Sequence, residues 1–316
     1  MTPLSIIMPV YNSEKYLQAA LDSLLRNWET NYELIAVIDG SRDSSLQILL
    51  KYASKIKNLH IIELKKNQGY GNACNCGIEK AKGKYIAFFE PDDLIEEDFY
   101  KELLTENDDA DIVKYNGIYQ FYDQDQKTKI RLFRYKNIPR KILNYREYPR
   151  IWRAHPSVVN CIYKKEFLNV NEIRFCTGMG ASYQDVQFNV RLFYSKPTIK
   201  LIDNCKYLYR RHSSQSTKNI SSDRISAVIF NWEMEEKFEA SKIQDWDYFN
   251  LQWYRHWFSL IKSSQNKERK MILKYLLNNA KNKKISKLFF KFINIDKKCI
   301  IKYYILRSIS CLLNII

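Results

Sequence analysis

Apolar residues follow two alternating patterns along the first hundred positions. Short apolar runs are typical of buried strands, and four of them occupy residues 4–10, 32–38, 59–64 and 85–89. In the intervals, leucine and alanine recur at the spacing of a helix face, which predicts helices over about 13–25, 43–53 and 72–81. Strands that alternate with helices at this spacing predict an α/β fold, with a mostly parallel sheet and flanking helices.

The pattern changes after residue 110. Residues 112–121 predict another strand or pair of strands, and the polar, basic residues 123–150 predict an excursion over the active face. A helix is predicted to open at Gln184-Asp185, and a last strand spans 199–209. The pattern is helical beyond Ser221, so the chain divides into residues 1–220 and a helical part, 221–316.

Charge separates these two parts. The net charge is +16, and residues 267–316 contribute +11 of it, leaving +5 for the rest. The apolar residues after Cys299 are interrupted by Lys302 and Arg307, which makes a poor spanning helix. A basic helix with an apolar face suits an anionic membrane surface. The alternative is a helical cap that packs on the body of the protein.

Composition places the protein in the cytoplasm. A mean hydropathy of −0.45 argues against several membrane spans. The first apolar run lacks the basic flank of a signal peptide, and the seven cysteines are scattered. We therefore expect a cytoplasmic protein, with attachment to the inner face of the cytoplasmic membrane as a further option.

An acidic cluster follows the fourth predicted strand, at Glu90-Pro91-Asp92-Asp93. Adjacent carboxylates repel one another, and a hard divalent cation such as Mn²⁺ or Mg²⁺ relieves that repulsion while binding diphosphate oxygens. The alternative is a cap for the next helix, which carries Phe99. A basic tail alone would also fit nucleic acid, but this acidic cluster does not, so no nucleic-acid partner is expected.

Two further segments have the chemistry of a nucleotide site. Asp39 ends the second strand, where its carboxylate can accept hydrogen bonds from a base or ribose, or can form an Asx-turn with Gly40. Residues 67–77 contain three glycines beside a helix start, which permits close approach of a nucleotide. The segment lacks the ending of a P-loop, and it follows the third strand rather than the first, so it is no dinucleotide fingerprint.

Four segments, in this order, resemble the family 2 glycosyltransferases of GT-A (Rossmann-like) fold, among them bacterial enzymes of capsule and lipopolysaccharide synthesis. They are Ser5–Asn12, Ile38–Ser45, Asn67–Gly77 and Gly83–Asp93. The resemblance covers about residues 4–215. It implies an inverting, metal-dependent glycosyltransferase that moves a sugar from a nucleotide-diphospho donor, commonly UDP-linked, to a hydroxyl of a glycan or lipid-linked glycan. Residues 1–110 would form the nucleotide-sugar half and 111–220 the acceptor half.

The resemblance also implies roles for individual residues. The nucleotide-sugar would be bound by Pro9, Tyr11, Asp39, Gly69, Asn75, Glu90 and Asp93. Asp92 would ligate Mn²⁺ or Mg²⁺, and His212 would complete the metal shell, with Arg210 and Arg211 as an alternative clamp on the diphosphate. Asp185 would be the catalytic base, matching an acidic pair that usually reads Glu-Asp; the alternative is a helix cap without a catalytic part.

Three positions depart from the family pattern. Ile38 replaces the first of two aspartates, Cys74 stands where arginine is frequent, and Glu90 opens the metal motif in place of aspartate. These departures leave two alternatives open: a catalytically inactive GT-A scaffold, and a sugar nucleotidyltransferase, which releases pyrophosphate rather than nucleoside diphosphate.

Overall fold

A computed structural model gives the structure of the protein. The residues that it describes are 3–27, 31–134, 139, 141–144, 157–177, 184–212, 222, 225–226, 228–229, 233 and 266–280. The chain forms two compact units, Met1–Gln215 and Ser216–Ile316.

The first unit is built around an eight-stranded mixed sheet. In spatial order its strands are β3 (Leu59–Leu64), β2 (Tyr32–Asp39), β1 (Leu4–Val10), β4 (Tyr85–Phe88), β10 (Cys161–Lys164), β6 (Ile112–Tyr115), β11 (Thr198–Ile202) and β9 (Leu143–Asn144). β1 is parallel to both β2 and β4, and every residue of these three strands is buried. Because the strand order reverses between β1 and β4, a crevice opens beyond their carboxyl ends, where ligands of α/β sheets bind.

A second sheet of four strands lies after the acidic cluster. Its order is β5 (Leu94–Ile95), β12 (Tyr207–Arg211), β7 (Tyr119–Tyr122) and β8 (Asp125–Arg131). β12 is antiparallel to β5 and parallel to β7. The last strand of the unit therefore pairs directly with the segment that follows Asp93.

Six helices accompany these sheets in the described part of the first unit. They are α1 (Glu14–Leu25), α2 (Ser45–Tyr52), α3 (Tyr70–Lys80), α4 (Phe99–Thr105), α5 (Lys165–Val170) and α6 (Gln184–Tyr194). α3 packs closely on β1 because Gly77 has no side chain, and an added Cβ there would lie 2.4 Å from Cγ2 of Ile7.

The first turns of α1 and α2 are held by crossed carboxylates. Asp43 Oδ2 accepts the Glu14 backbone N–H at 2.9 Å, and Glu14 Oε2 accepts the Ser44 backbone N–H at 2.9 Å. Ser13, in the N-cap position of α1, makes no capping bond with its side chain. Asp43 Oδ1 also accepts the Ser45 N–H at 3.1 Å, so the Asp43 carboxylate binds the first turns of both helices and fixes the loops at the ends of β1 and β2 to one another.

In the second unit the structure describes one helix with bounds, α7 (Asn266–Ala280). Ile272 is buried, and Glu268 accepts a hydrogen bond from the Ser222 hydroxyl at 3.1 Å. Among the described residues, no helix combines the length and apolar character needed to cross a membrane. Residues 281–316, which hold most of the basic tail, lie outside the described part.

The α/β fold class, with its large central sheet and flanking helices, is confirmed, and the elements up to residue 105 follow the predicted order. One prediction is wrong: the single strand predicted over 199–209 is two strands in different sheets. The chain leaves the first sheet after Ile202 and enters the second sheet at Tyr207, with residues 203–206 as the connection. The apolar run is therefore divided between two sheets. Residues 125–131, which belong to the excursion predicted over the active face, form β8.

Candidate active site

The acidic cluster lies at the end of β4 and does not cap a helix. β5 follows it, and α4 begins only at Phe99, with Asp98 in the N-cap position. The helix-cap alternative is therefore wrong for both Asp92 and Asp93. The two carboxylates have different environments.

Asp93 is an internal anchor. Its side chain is 1% exposed, with Oδ2 accepting the Tyr207 hydroxyl at 2.7 Å and Oδ1 accepting the Arg210 backbone N–H at 2.8 Å. Burial and the nearby Asp92 charge raise its pKa well above the ordinary value. Because both oxygens bind β12, the predicted role of Asp93 in donor binding is replaced by one in joining the two sheets.

Asp92 and His212 form a pair. Asp92 Oδ2 lies 3.0 Å from His212 Nε2, and the Asp92 side chain is 30% exposed. The His212 ring is buried, with its centroid 4.5 Å from that of Tyr16. No three His, Cys, Asp or Glu side chains converge on a possible metal position among the described residues. The Asp92 carboxylate nevertheless suits Mn²⁺ or Mg²⁺, which takes its remaining ligands from phosphate oxygens and water.

Arg210 does not fit the alternative role of binding the diphosphate. Its guanidinium is 3% exposed, where it donates to Asp123 Oδ1 at 2.9 Å and to the Asp92 carbonyl at 2.8 Å. A side chain held in this way stabilises the backbone of the acidic cluster at Asp92 and is not available to bind diphosphate. Neither Asp123 nor Tyr16 was recognised in the sequence as a functional residue, since Asp123 lies in a turn and Tyr16 in an amphipathic helix pattern.

Glu90, the first residue of the acidic cluster, contacts α3. Tyr70 donates a hydrogen bond to Glu90 Oε1 at 2.6 Å, and the buried thiol of Cys74 lies beside both. Burial raises the pKa of Glu90 to about 8, helped by the charges of Asp92 and Asp185. Cys74 occupies the position where the family often has arginine, so it brings no cation to Glu90.

The loop before α3 is tied to the end of β2 by Asp39. Its two carboxylate oxygens accept the backbone N–H groups of Gln68 at 2.6 Å and of Gly69 at 2.8 Å. Gly69 has a φ of 90°, and Gly40 a φ of 65° with no room for a Cβ against the Asn67 nitrogen. Asp39 therefore fixes the loop before α3, which we call the donor loop because residues 67–77 are predicted to approach a nucleotide. This role differs from both the base contact and the Asx-turn expected of Asp39.

The other predicted donor residues divide by exposure. Tyr11 is 51% exposed just beyond β1, whereas Pro9 and Ile38 are buried within strands. The Asn75 amide spans α3 and residue 175, since it donates to the Phe175 carbonyl and accepts the Phe175 N–H, both at 2.8 Å. Of this set, Tyr11 alone presents a large open surface.

Asp185 lies in the first turn of α6. Its Oδ1 accepts the Val186 backbone N–H at 2.9 Å, and its side chain is half-buried. Burial raises the pKa of Asp185 to about 6, against the opposing effect of that hydrogen bond. The preceding Gly178, Gly180 and Tyr183 lie outside the described residues.

Sequence comparison decides the family. The model of the family described as "Glycosyl transferase family 2" matches residues 5–170, more than half of the chain. The chain belongs to glycosyl transferase family 2. The matched region contains β1–β4, the donor loop and the acidic cluster, and it ends before Asp185 and His212.

Relatives with glycosyltransferase names support this membership. Glycosyltransferase GlyG of Streptococcus pneumoniae is 28% identical over 224 residues, covering 66% of this chain and 71% of GlyG. EpsJ of Bacillus subtilis, an uncharacterized glycosyltransferase, is 29% identical over 226 residues, covering 69% of this chain and 64% of EpsJ. The chain thus spans about two thirds of the length of these family 2 proteins.

Solved structures support the fold. S. aureus TarS, residues 1–349 in complex with UDP, superposes with a TM-score of 0.60 at 22% identity, over 86% of this chain and 78% of TarS 1–349. The predicted resemblance to GT-A members of family 2 is therefore confirmed.

Proposed function

We propose that this family 2 protein is an inverting, metal-dependent glycosyltransferase. It transfers a sugar from a nucleotide-diphospho donor, a UDP-sugar in the first instance, to a hydroxyl of a glycan or lipid-linked glycan. The product belongs to a bacterial surface polysaccharide, such as capsule or the glycan of lipopolysaccharide.

One observation carries the proposal. Asp92 and Asp185 are 93 positions apart in the sequence, yet both lie close enough to Glu90 for their charges to raise its pKa. This shared neighbour supports a single site beyond β4, in which Asp92 would bind the metal and Asp185 would act as the base. Neither carboxylate is paired with a lysine or arginine side chain in any contact that the structure describes, which suits groups that act on a substrate.

The chain's residues would divide the reaction as follows. Asp185 takes the proton from the acceptor hydroxyl as its oxygen attacks the anomeric carbon. The new glycosidic bond forms as the bond from that carbon to the diphosphate oxygen breaks, which inverts the configuration and releases the nucleoside diphosphate. Asp92 and His212 would hold Mn²⁺ or Mg²⁺, and the bound cation would stabilise the negative charge of the leaving diphosphate.

Similar proteins support the choice of a UDP-sugar donor and of a cell-surface polymer as the product. The S. aureus TarS structures include complexes with UDP and with UDP-GlcNAc. GgaB of Bacillus subtilis, a minor teichoic acid biosynthesis protein, is 40% identical over 103 residues, covering 32% of this chain and 11% of GgaB. A UDP-sugar and a cell-surface glycopolymer are accordingly the first donor and product to test. Ile38 brings no carboxylate to the nucleobase of the donor, so nucleotide sugars with nucleobases other than uracil belong in the same screen.

A thermal-shift screen of nucleotide sugars, with and without Mn²⁺, tests the proposal. A donor at 100 times its Kd stabilises the folded state by about 2.7 kcal/mol, so we expect a rise of several degrees in Tm that requires the metal. Mass spectrometry of the turnover mixture should then find a nucleoside diphosphate. Release of pyrophosphate would instead indicate a nucleotidyltransferase. Metal-dependent binding without turnover on any tested acceptor would favour the inactive scaffold.

We expect the transfer rate to depend on pH through Asp185. A base works only when deprotonated, and partial burial raises the pKa of Asp185 to about 6. The rate should therefore fall about tenfold for each pH unit below 6 and level off above it. Single-turnover rates between pH 4.5 and 8, at saturating donor and Mn²⁺, would measure this. A profile without an inflection in this range would argue against Asp185 as the base.

Attachment of the basic tail to an anionic membrane stays a prediction. Lys267, Lys270 and Lys274 are exposed along one side of α7, consistent with a basic surface. Co-sedimentation with vesicles containing anionic lipid, compared with neutral vesicles, would test it, and equal recovery with both would argue against it.

A further inference from the structure

Asp123 binds two side chains that support the Asp92–His212 pair. It lies in the turn between β7 and β8, where Oδ1 accepts Nη1 of Arg210 at 2.9 Å and Oδ2 accepts the Tyr16 hydroxyl at 3.2 Å. Arg210 belongs to β12 and Tyr16 to α1. A single carboxylate thus joins three separate elements.

The first connection runs through Arg210 to Asp92. The guanidinium lies over the rings of Tyr16 and Phe121, with its carbon 4.9 Å from each centroid. Its Nε donates to the Asp92 carbonyl at 2.8 Å. A buried guanidinium needs a compensating charge, and Asp123 supplies one. The orientation of Arg210, and with it the backbone at Asp92, therefore depends on Asp123.

The second connection runs through Tyr16 to His212. The Tyr16 hydroxyl is fixed by Asp123, and its ring packs against the His212 ring at a centroid distance of 4.5 Å. Asp92 is thus contacted by Arg210 and His212 by Tyr16, and both contacting side chains bind the Asp123 carboxylate. Lys15 also approaches Asp123, at 3.7 Å, but its side chain is 67% exposed and touches neither Asp92 nor His212 in the described contacts.

We propose that Asp123 is a positioning residue that sets the affinity of the Asp92–His212 pair for a divalent cation, acting through Arg210 and Tyr16. The proposal rests on the metal-dependent function proposed above. Partners that orient metal-binding side chains typically change metal affinity by about 10- to 100-fold when they are removed. Asp123 makes no contact with the cation on this proposal, so its effect is indirect.

The test is a Mn²⁺ titration in the presence of saturating UDP, in which electron paramagnetic resonance measures free Mn²⁺. Asp123→Asn keeps the shape of the side chain and removes its charge. Asp203→Asn is the matched control, because Asp203 also accepts a side-chain hydrogen bond, from Asn116 at 2.8 Å, and lies near two arginines without contacting the pair. We expect the Kd for Mn²⁺ to rise about 10- to 100-fold in Asp123→Asn and to stay unchanged in Asp203→Asn.

Two further readouts separate positioning from a general loss of stability. Excess Mn²⁺ should restore most of the Asp123→Asn transfer rate, which a misfolded protein would not recover. Tyr16→Phe keeps the ring against His212 and removes the hydroxyl, so its Kd should rise by a smaller factor, on the order of fivefold. If Asp123→Asn does not fold, Tyr16→Phe decides: a weaker affinity supports the proposal, and an unchanged one overturns it.

The remaining outcomes are distinguishable. A wild-type affinity in Asp123→Asn overturns the positioning role while leaving the proposed function intact. An equal loss in Asp203→Asn also overturns it, because the effect would then follow from charge alone. Failure of the wild-type protein to bind Mn²⁺ with UDP, and with each other nucleoside diphosphate of the donor screen, would remove both this proposal and the metal dependence on which it rests.

Discussion

Replacing Asp185 by asparagine is expected to lower kcat for sugar transfer about 100- to 10,000-fold, the range that a general base contributes. The amide keeps the acceptor for the Val186 N–H but takes no proton from the sugar hydroxyl. Donor binding should persist, because Asp185 acts on the acceptor. Burial already disfavours the charged form of Asp185, so the substitution should not lower Tm at neutral pH.

Glu166→Gln is the control for this experiment. Glu166 is also an acidic residue in a first helical turn, that of α5, and it is exposed. Its replacement removes the same helix-dipole interaction without approaching the cluster. Initial rates and donor-induced shifts in Tm, measured on both variants, separate catalysis from folding. A transfer rate near that of the wild type in Asp185→Asn would show that the base is another group.

Asp92→Asn should abolish the stabilisation of the donor complex by Mn²⁺ and lower the transfer rate at least about 100-fold, since a cation at a leaving diphosphate contributes several kcal/mol. The unliganded protein should keep its Tm, because Asp92 is partly exposed and its backbone carbonyl still binds Arg210. Asp98→Asn is the control. Asp98 lies in the same segment with a φ of 57°, which asparagine also tolerates.

The measurements for Asp92→Asn are donor-induced shifts in Tm with and without Mn²⁺, followed by turnover. If the variant keeps a metal-dependent shift equal to that of the wild type, Asp92 is no ligand. Asp93→Asn gives a useful contrast, because the amide keeps only one acceptor oxygen for the two buried bonds to β12, so Tm should fall before any ligand is added.

The first half of the fold was predictable because each element carries its own periodic signal. β1, β2 and β4 are fully buried, so their apolar runs are continuous, and the helices between them have regular apolar faces. The second sheet gave no such signal. β5 has two residues, and β8 is largely polar, so these strands are defined by pairing with distant partners rather than by local sequence.

The position of the site was predictable from the sequence, but the different role of each of its carboxylates was not. Asp39, Asp92 and Asp93 all follow buried strands, and the sequence marks them as one class. The structure gives Asp39 and Asp93 internal hydrogen bonds, while Asp92 pairs with His212 and remains partly exposed. Which oxygen faces inward depends on backbone N–H groups from residues 29 to 117 positions away, and these distances in sequence carry no local pattern.

The connection between β12 and Asp93 also bears on how the site is assembled during synthesis. The region matched by the family ends at residue 170, whereas the groups that bind the Asp93 side chain belong to Tyr207 and Arg210. A ribosome that has released the whole matched region has therefore delivered the acidic cluster without the strand whose hydroxyl and N–H groups bind the Asp93 side chain. Until that strand is synthesised, the Asp93 side chain lacks both of these partners, so the cluster can reach its final geometry only after β12 has been made.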